Sequence, residues 1–188
     1  MSIIKILNES EVLPVDLDDV KTFLKLDYQD DTDEDNVVKR ALKTAIKQCE
    51  NIINKTILEK KYKYCIYDLL KNSILKLPYG DVKEISSVKI INKNNESVAI
   101  NNNNYFLDSE NDCIVFKVLP TNYYRMEIEY TAKLDSIPND ILQGILFHTA
   151  KIYEDKTGYS QLPKASSMIY KKYKQFKQKN RITAIRKH

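Results

Sequence analysis

Apolar residues recur at helical spacing most clearly between Glu34 and Lys55. Val38, Leu42, Ala45, Cys49 and Ile52 step along one face, and Ala41, Ile46 and Ile53 widen the stripe. Lys39, Arg40, Lys43, Lys47 and Gln48 take much of the opposite face, so the spacing predicts a long amphipathic helix. A shorter helix precedes it. Leu17, Val20, Phe23 and Leu24 follow Pro14-Val15-Asp16, where Asp16 is placed to cap, and the pattern ends near Leu26. Between the two lies the acidic run Asp27 to Asp35, whose Thr32 and Asp35 resemble a capping box with carboxylates at the positive end of the helix dipole.

After Glu59 the period drops to two. Tyr62, Tyr64 and Ile66 alternate with Lys61, Lys63 and Cys65. Further strand-like stretches follow at Ile74 to Leu77, Val88 to Ile91, Tyr105 to Leu107, Cys113 to Val118 and Met126-Ile128-Tyr130. Asn-rich and acidic turns separate them, and Pro78-Tyr-Gly-Asp81 reads as a turn because Pro fixes φ and Gly permits φ > 0. Five or six short strands imply an antiparallel sheet or hairpins set between helices.

Helical spacing returns at Ile137-Pro138-Asn139-Asp140, with Pro in the first turn. Ile141, Leu142, Ile145, Leu146, Thr149, Ile152 and Tyr153 form the stripe, and Gly158 is a stop. A last helix begins near Lys164, carries Met168, Ile169, Tyr173 and Phe176, and runs into a basic tail ending at His188. The expected fold is α+β but mainly helical: one domain over 1–188, with a four-helix core. Helices 1 and 2 fall in 14–57, the β insertion in 59–131, helix 3 in 137–158, and the basic helix and tail in 164–188.

Composition narrows the classes. With 43% hydrophobic and 30% charged residues the chain is ordinary for a globular protein, and it has no run of 18 apolar residues to span a membrane. The opening apolar stretch, broken by Lys5, is too short for a secretory signal, so the expectation is a protein that stays in the cytosol where it is made. Cys49, Cys65 and Cys113 show no CxxC spacing and read as buried thiols.

Charge adds the main functional clue. Lys156 to His188 holds ten Lys or Arg and no acid, whereas Met1 to Asp35 holds eleven acids against three Lys. Asp31, Asp33 and Asp35 match the first ligands of a calcium loop, but Asn36 replaces the turn Gly and Leu42 the bidentate Glu, so helix capping is the better reading. Only His148 and His188 are available as imidazole bases, and three scattered glycines make no phosphate loop, which argues against an enzyme and for no cofactor or metal. Lys171, Lys172, Lys174, Lys177, Lys179 and Arg181 interleave with Tyr170, Tyr173 and Phe176. Three readings remain open for that mix: a solvated basic face, a protein-docking helix, and phosphate attraction with stacking.

The order of motifs resembles the head–tail connector (adaptor) proteins of tailed bacteriophages. The resemblance rests on four stretches: Leu17 to Asp27 with the acidic loop and Val37 to Ile57; Leu77-Pro-Tyr-Gly-Asp-Val-Lys-Glu-Ile-Ser-Ser-Val88; Ile137 to Leu146 with Tyr153-Glu-Asp; and Ile169-Tyr-Lys-Lys-Tyr173. The β region from Ile91 to Tyr124 is longer and richer in Asn than in many relatives. The resemblance implies a structural virion protein, made in the bacterial host cytoplasm and placed at the head–tail junction. Such proteins form a ring, commonly of twelve, beneath the portal protein; the ring extends the DNA channel and meets tail or stopper (head-completion) proteins. The basic segment, with Tyr170, Lys171, Lys172, Tyr173, Lys174, Lys177, Lys179 and Arg181, is then expected to dock on the portal. The acidic loop, with Asp30, Asp31, Asp33, Glu34 and Asp35, is expected to face basic groups of a neighbouring subunit or the portal. The competing expectation is a nucleic-acid-binding module using the basic C-terminal helix.

Overall fold

The Tyr62 alternation builds an interior strand. β2 (Lys60–Ile66) buries Tyr62, Tyr64 and Ile66 and pairs antiparallel with β8 (Arg125–Ala132), setting Tyr62 opposite Tyr130 and Tyr64 opposite Ile128. The structure is a computed structural model and describes residues 1–26, 32–155 and 161–174. Its chain divides into two units, one built from Met1–Ser10 and Glu59–Lys133, the other from Glu11–Leu58 and the described residues between 134 and 174.

In the first unit β8 alternates strictly, with Met126, Ile128, Tyr130 and Ala132 at 0% exposure, because it lies between two strands and one of its faces is covered. β4 (Val82–Ile91) pairs with its other edge, and β5 (Ser97–Ala99) extends β4. β1 (Ser2–Glu9) pairs with β2 from the opposite side. The sheet therefore runs β1-β2-β8-β4-β5, antiparallel throughout. A second sheet, β3-β7-β6, comprises β3 (Ile74–Lys76), β7 (Cys113–Phe116) and β6 (Tyr105–Asp108). Tyr130, Phe116, Ile114 and Leu77 are among the largest side chains buried in the unit, each contributing about 1.5–3 kcal/mol relative to exposure.

One turn is held by side chains where glycine freedom was expected. Tyr79 (φ 55°) and Asp81 (φ 65°) adopt left-handed backbone on either side of Gly80. The Tyr79 ring stacks on Tyr62 at 5.2 Å, Tyr62 stacks on Tyr130 at 5.4 Å, and the Tyr130 hydroxyl donates to the Pro78 carbonyl at 2.5 Å. Those contacts offset the roughly 1–2 kcal/mol per residue of left-handed backbone. Buried Asp112 completes the turn by accepting the Val82 N–H at 3.0 Å.

The second unit has four α-helices among its described residues: α1 (Leu17–Leu24), α2 (Thr32–Ile53), α3 (Asn139–Asp155) and α4 (Lys164–Tyr173). The predicted α2 stripe is its spine, with Val38, Leu42, Ala45, Ile46, Cys49 and Ile53 all at 0% exposure against Ile141, Ile145 and Tyr170. After α2 the chain turns at Asn54 (φ 59°), and the buried Glu50 carboxylate accepts the N–H groups of Ile57 at 2.7 Å and Leu58 at 3.1 Å. Asp16 sits at the N-cap of α1 without a side-chain capping bond.

The expectation of a mainly helical protein is thus corrected. Among the described residues eight strands in two antiparallel sheets form a unit with its own core, and the fold is α+β with substantial sheet. The error has a physical source. β1 and β5 are edge strands of largely exposed or half-exposed residues, so no clean burial alternation marks them, and β1 is completed by a partner more than fifty residues away.

Candidate docking surfaces

α4 is the element on which the docking expectation rests. It starts after Pro163, whose φ of −55° and extended ψ of 141° deliver the chain into the first turn, and the Ser167 N–H bonds the Pro163 carbonyl at 2.8 Å. Its inner face is small then aromatic. Ser166, fully buried, donates to the Gly144 carbonyl at 2.8 Å, and the Tyr170 ring fills the space beside Gly144 and Ile145.

The outer end of α4 is tied to the start of α3. The Lys172 ammonium donates to Asp140 Oδ2 at 2.8 Å, and the Tyr173 hydroxyl donates to Asp140 Oδ1 at 2.9 Å. The Lys172 Nζ also stands 5.1 Å from the Tyr173 ring centroid. Lys172 and Tyr173 hold the Asp140 carboxyl below its usual value, and Asp140 in turn raises the Lys172 ammonium. Lys171 and Lys174 stay exposed beside this cluster, and Lys174 is the C-cap of the helix.

Around Tyr170 the packing leaves buried polar atoms. Its hydroxyl lies beside Cys49, whose thiol burial pushes up to about 12, with the Glu50 carboxylate acting in the same sense. Burial also raises the Tyr170 phenol. His148 is at 0% exposure with its ring 6.1 Å from that of Tyr170, and neither ring nitrogen finds a hydrogen-bond partner among the described residues. Burial lowers its pKa below 6.5.

The acidic segment is used from within. Glu34 accepts the Tyr153 hydroxyl at 2.5 Å, tying α2 to α3, and its proximity raises the Tyr153 phenol. Asp35 pairs with Lys21, a largely buried lysine of α1. Asp33 is exposed in the first turn of α2. Of the sequence-predicted site residues, the structure therefore brings Lys172 and Tyr173 together on Asp140, leaves Lys171, Lys174 and Asp33 at the surface, and puts Tyr170 in the core. Asp30, Asp31, Lys177, Lys179 and Arg181 lie outside the described residues. Three participants escaped the sequence reading: Asp140 as the anchor of α4, Lys21 as the partner of Asp35, and Glu50 as the cap of the loop after α2. Only Glu50 left a trace, a carboxylate between the stripe residues Cys49 and Ile53.

Among the described residues no cluster of three or more His, Cys, Asp or Glu is placed to hold a metal ion, and no helix is long and apolar enough to cross a membrane. All three cysteines are buried and unbridged.

Residues 15–161 match the family described as head completion protein. That stretch runs from α1 through α3 and stops short of α4. No curated protein matches the chain. Among solved structures, the chain is similar in fold to one from the neck of an empty GTA particle computed with C6 symmetry, with a TM-score of 0.74, 16% identity, and 93% of this chain and 96% of that one covered. A chain from the virion of a native gene transfer agent (GTA) particle gives a TM-score of 0.71 at 17% identity, over 90% of this chain and 95% of that one. A chain from the neck of a native GTA particle computed with C12 symmetry gives 0.69 at 17% identity, over 92% and 96%.

Proposed function

The chain belongs to the head completion protein family, and we propose that it serves as a structural connector in the neck of a phage-like particle. Its place is the head–tail junction of the virion, and it works by binding, without turnover. One observation carries the reading: the family match runs through both units, and neck chains share the fold across nearly the whole length. The symmetries of those necks support a ring, of twelve copies in the virion, beneath the portal protein. The ring extends the channel that DNA crosses without sequence-specific contact, and it presents a surface to tail or stopper proteins.

Docking on the portal falls to α4 and the basic residues after it. Lys171 and Lys174 offer charge at the surface, while Lys172 and Tyr173 fix the helix end on Asp140 and Tyr170 seats it from inside. Lys177, Lys179 and Arg181 extend the positive charge along the sequence. A helix anchored before binding loses less freedom on docking than a free basic tail would. Within the acidic segment Glu34 and Asp35 are engaged inside the unit, and exposed Asp33 is the described acid that faces a neighbouring subunit. The nucleic-acid module has less support, because the Tyr170 ring is buried and the Tyr173 phenol is engaged, which occupies the two described aromatics such a module would stack on bases.

The test is to produce particles without this chain. DNA-filled heads that fail to join tails are the expected product, and normally tailed particles would refute the connector reading.

A further inference from the structure

The outer face of α2 carries Lys39, Arg40, Lys43 and Lys47, which with Asn36 and Thr44 line one shallow groove. Arg40, Lys43 and Lys47 are exposed, Lys39 is half-buried, and none of the four has a carboxylate partner among the described residues. In the same unit Lys21, Lys151 and Lys172 are each paired to an Asp. From Lys39 to Lys47 the ridge extends about 12 Å along the helix, with a cation at each turn.

The same unit carries the complement. Asp16, Asp18 and Asp19 at the start of α1 are exposed and lack an ion-pair partner among the described residues. Asp18 and Asp19 lie in the first turn of α1 and Asp16 at its N-cap, so the three carboxylates cluster within about one helical turn, on the order of the step between cations on the ridge. Both sets recur in every copy. A head-to-tail contact satisfies them together, whereas a duplex on the ridge would neutralise the cations and leave the three carboxylates unpaired.

We propose that the α2 ridge is the surface on which a second copy of this chain lays the acidic start of its α1. The contact is heterologous, one patch against a different patch, which is what closes a ring. It deepens the ring reading above and rests on it for biological context. Its role is to set orientation and speed encounter more than to supply affinity.

Cysteine cross-linking tests the contact directly, since the native cysteines are buried and do not compete. Full-length chains carrying Lys39→Cys, Lys43→Cys or Lys47→Cys are mixed under mild oxidation with chains carrying Asp16→Cys, Asp18→Cys or Asp19→Cys. Lys93→Cys, an exposed position in the other unit, is the control. At least one ridge–α1 pair is expected to form the mixed disulfide roughly ten-fold or more faster than any ridge–control pair. Salt of about 0.5 M should remove the advantage. Equal rates across the whole set overturn the proposal. So does a result in which Lys43→Glu with Lys47→Glu abolishes wild-type binding of naked duplex DNA while cross-linking stays at the control rate, because the ridge is then a phosphate surface. Incorporation into necks is scored separately. Incorporation without the preferred cross-link sinks this contact alone, and the cross-link without incorporation sinks the connector reading alone.

Discussion

Gly144 and Tyr170 meet so closely that a Cβ on residue 144 would stand 2.9 Å from Cε1 of the tyrosine ring and 3.4 Å from two side-chain carbons of Ile169. The glycine is a condition for α4 to lie on α3, and with α4 come the exposed Lys171 and Lys174. Gly144→Ala must push back a ring that is 0% exposed. The overpacking is expected to cost about 1–3 kcal/mol, more than the better helix propensity of Ala returns. Chemical denaturation measures it. A neutral or stabilising Gly144→Ala would show that the ring moves freely.

Buried His148 sets a pH dependence. Its folded pKa lies below its ordinary value of 6.5, so the unfolded chain binds the proton more readily. The neutral imidazole's contribution is therefore complete above 6.5 and is lost as pH falls from there towards the folded value. Between about pH 7 and 5 the unfolding midpoint of the wild type should drop more steeply than that of His148→Gln. Parallel curves would place the titration elsewhere.

Glu50 is the main acceptor for the turn out of α2. Glu50→Ala leaves the N–H groups of Ile57 and Leu58 without it, at about 1–3 kcal/mol for each group left unsatisfied. Glu50→Gln keeps a carbonyl oxygen at the same place and should lose less. Equilibrium unfolding of the two variants separates them, and equal losses would mean that charge matters more than acceptance.

The proposed docking on the portal is separable from folding. Lys171→Glu with Lys174→Glu changes only exposed side chains, so the melting temperature should stay near wild type while capture by purified portal weakens and its salt dependence flattens. Asp140→Asn acts differently: it loosens the anchor of Lys172 and Tyr173 and should speed amide exchange in α4 but not in α2. Unchanged portal capture by the lysine double variant would leave those lysines a solvated face.

Periodicity carried most of the helical unit. The α2 stripe, the start of α3 after Pro138 and the start of α4 near Lys164 are all legible, because burial on one side repeats every turn. Edge strands β1 and β5 were not, since β1 is paired by a distant strand and the three residues of β5 are all exposed. The site was half legible. Charge runs pointed to the two ends of the sequence, but whether a charged side chain serves the surface or the interior depends on what folds beside it. Asp35 and Glu34 hold helices together, and Tyr170 is core although it sits among lysines. No local spacing distinguishes those fates.

The central claim is assembly into a neck ring, and electron microscopy with mass measurement on the purified protein, with and without a portal, tests it most directly. The account predicts a closed ring or a collar of copies bound to the portal, with twelve on a twelvefold portal. A chain that stays monomeric in both conditions and leaves the portal bare would contradict it.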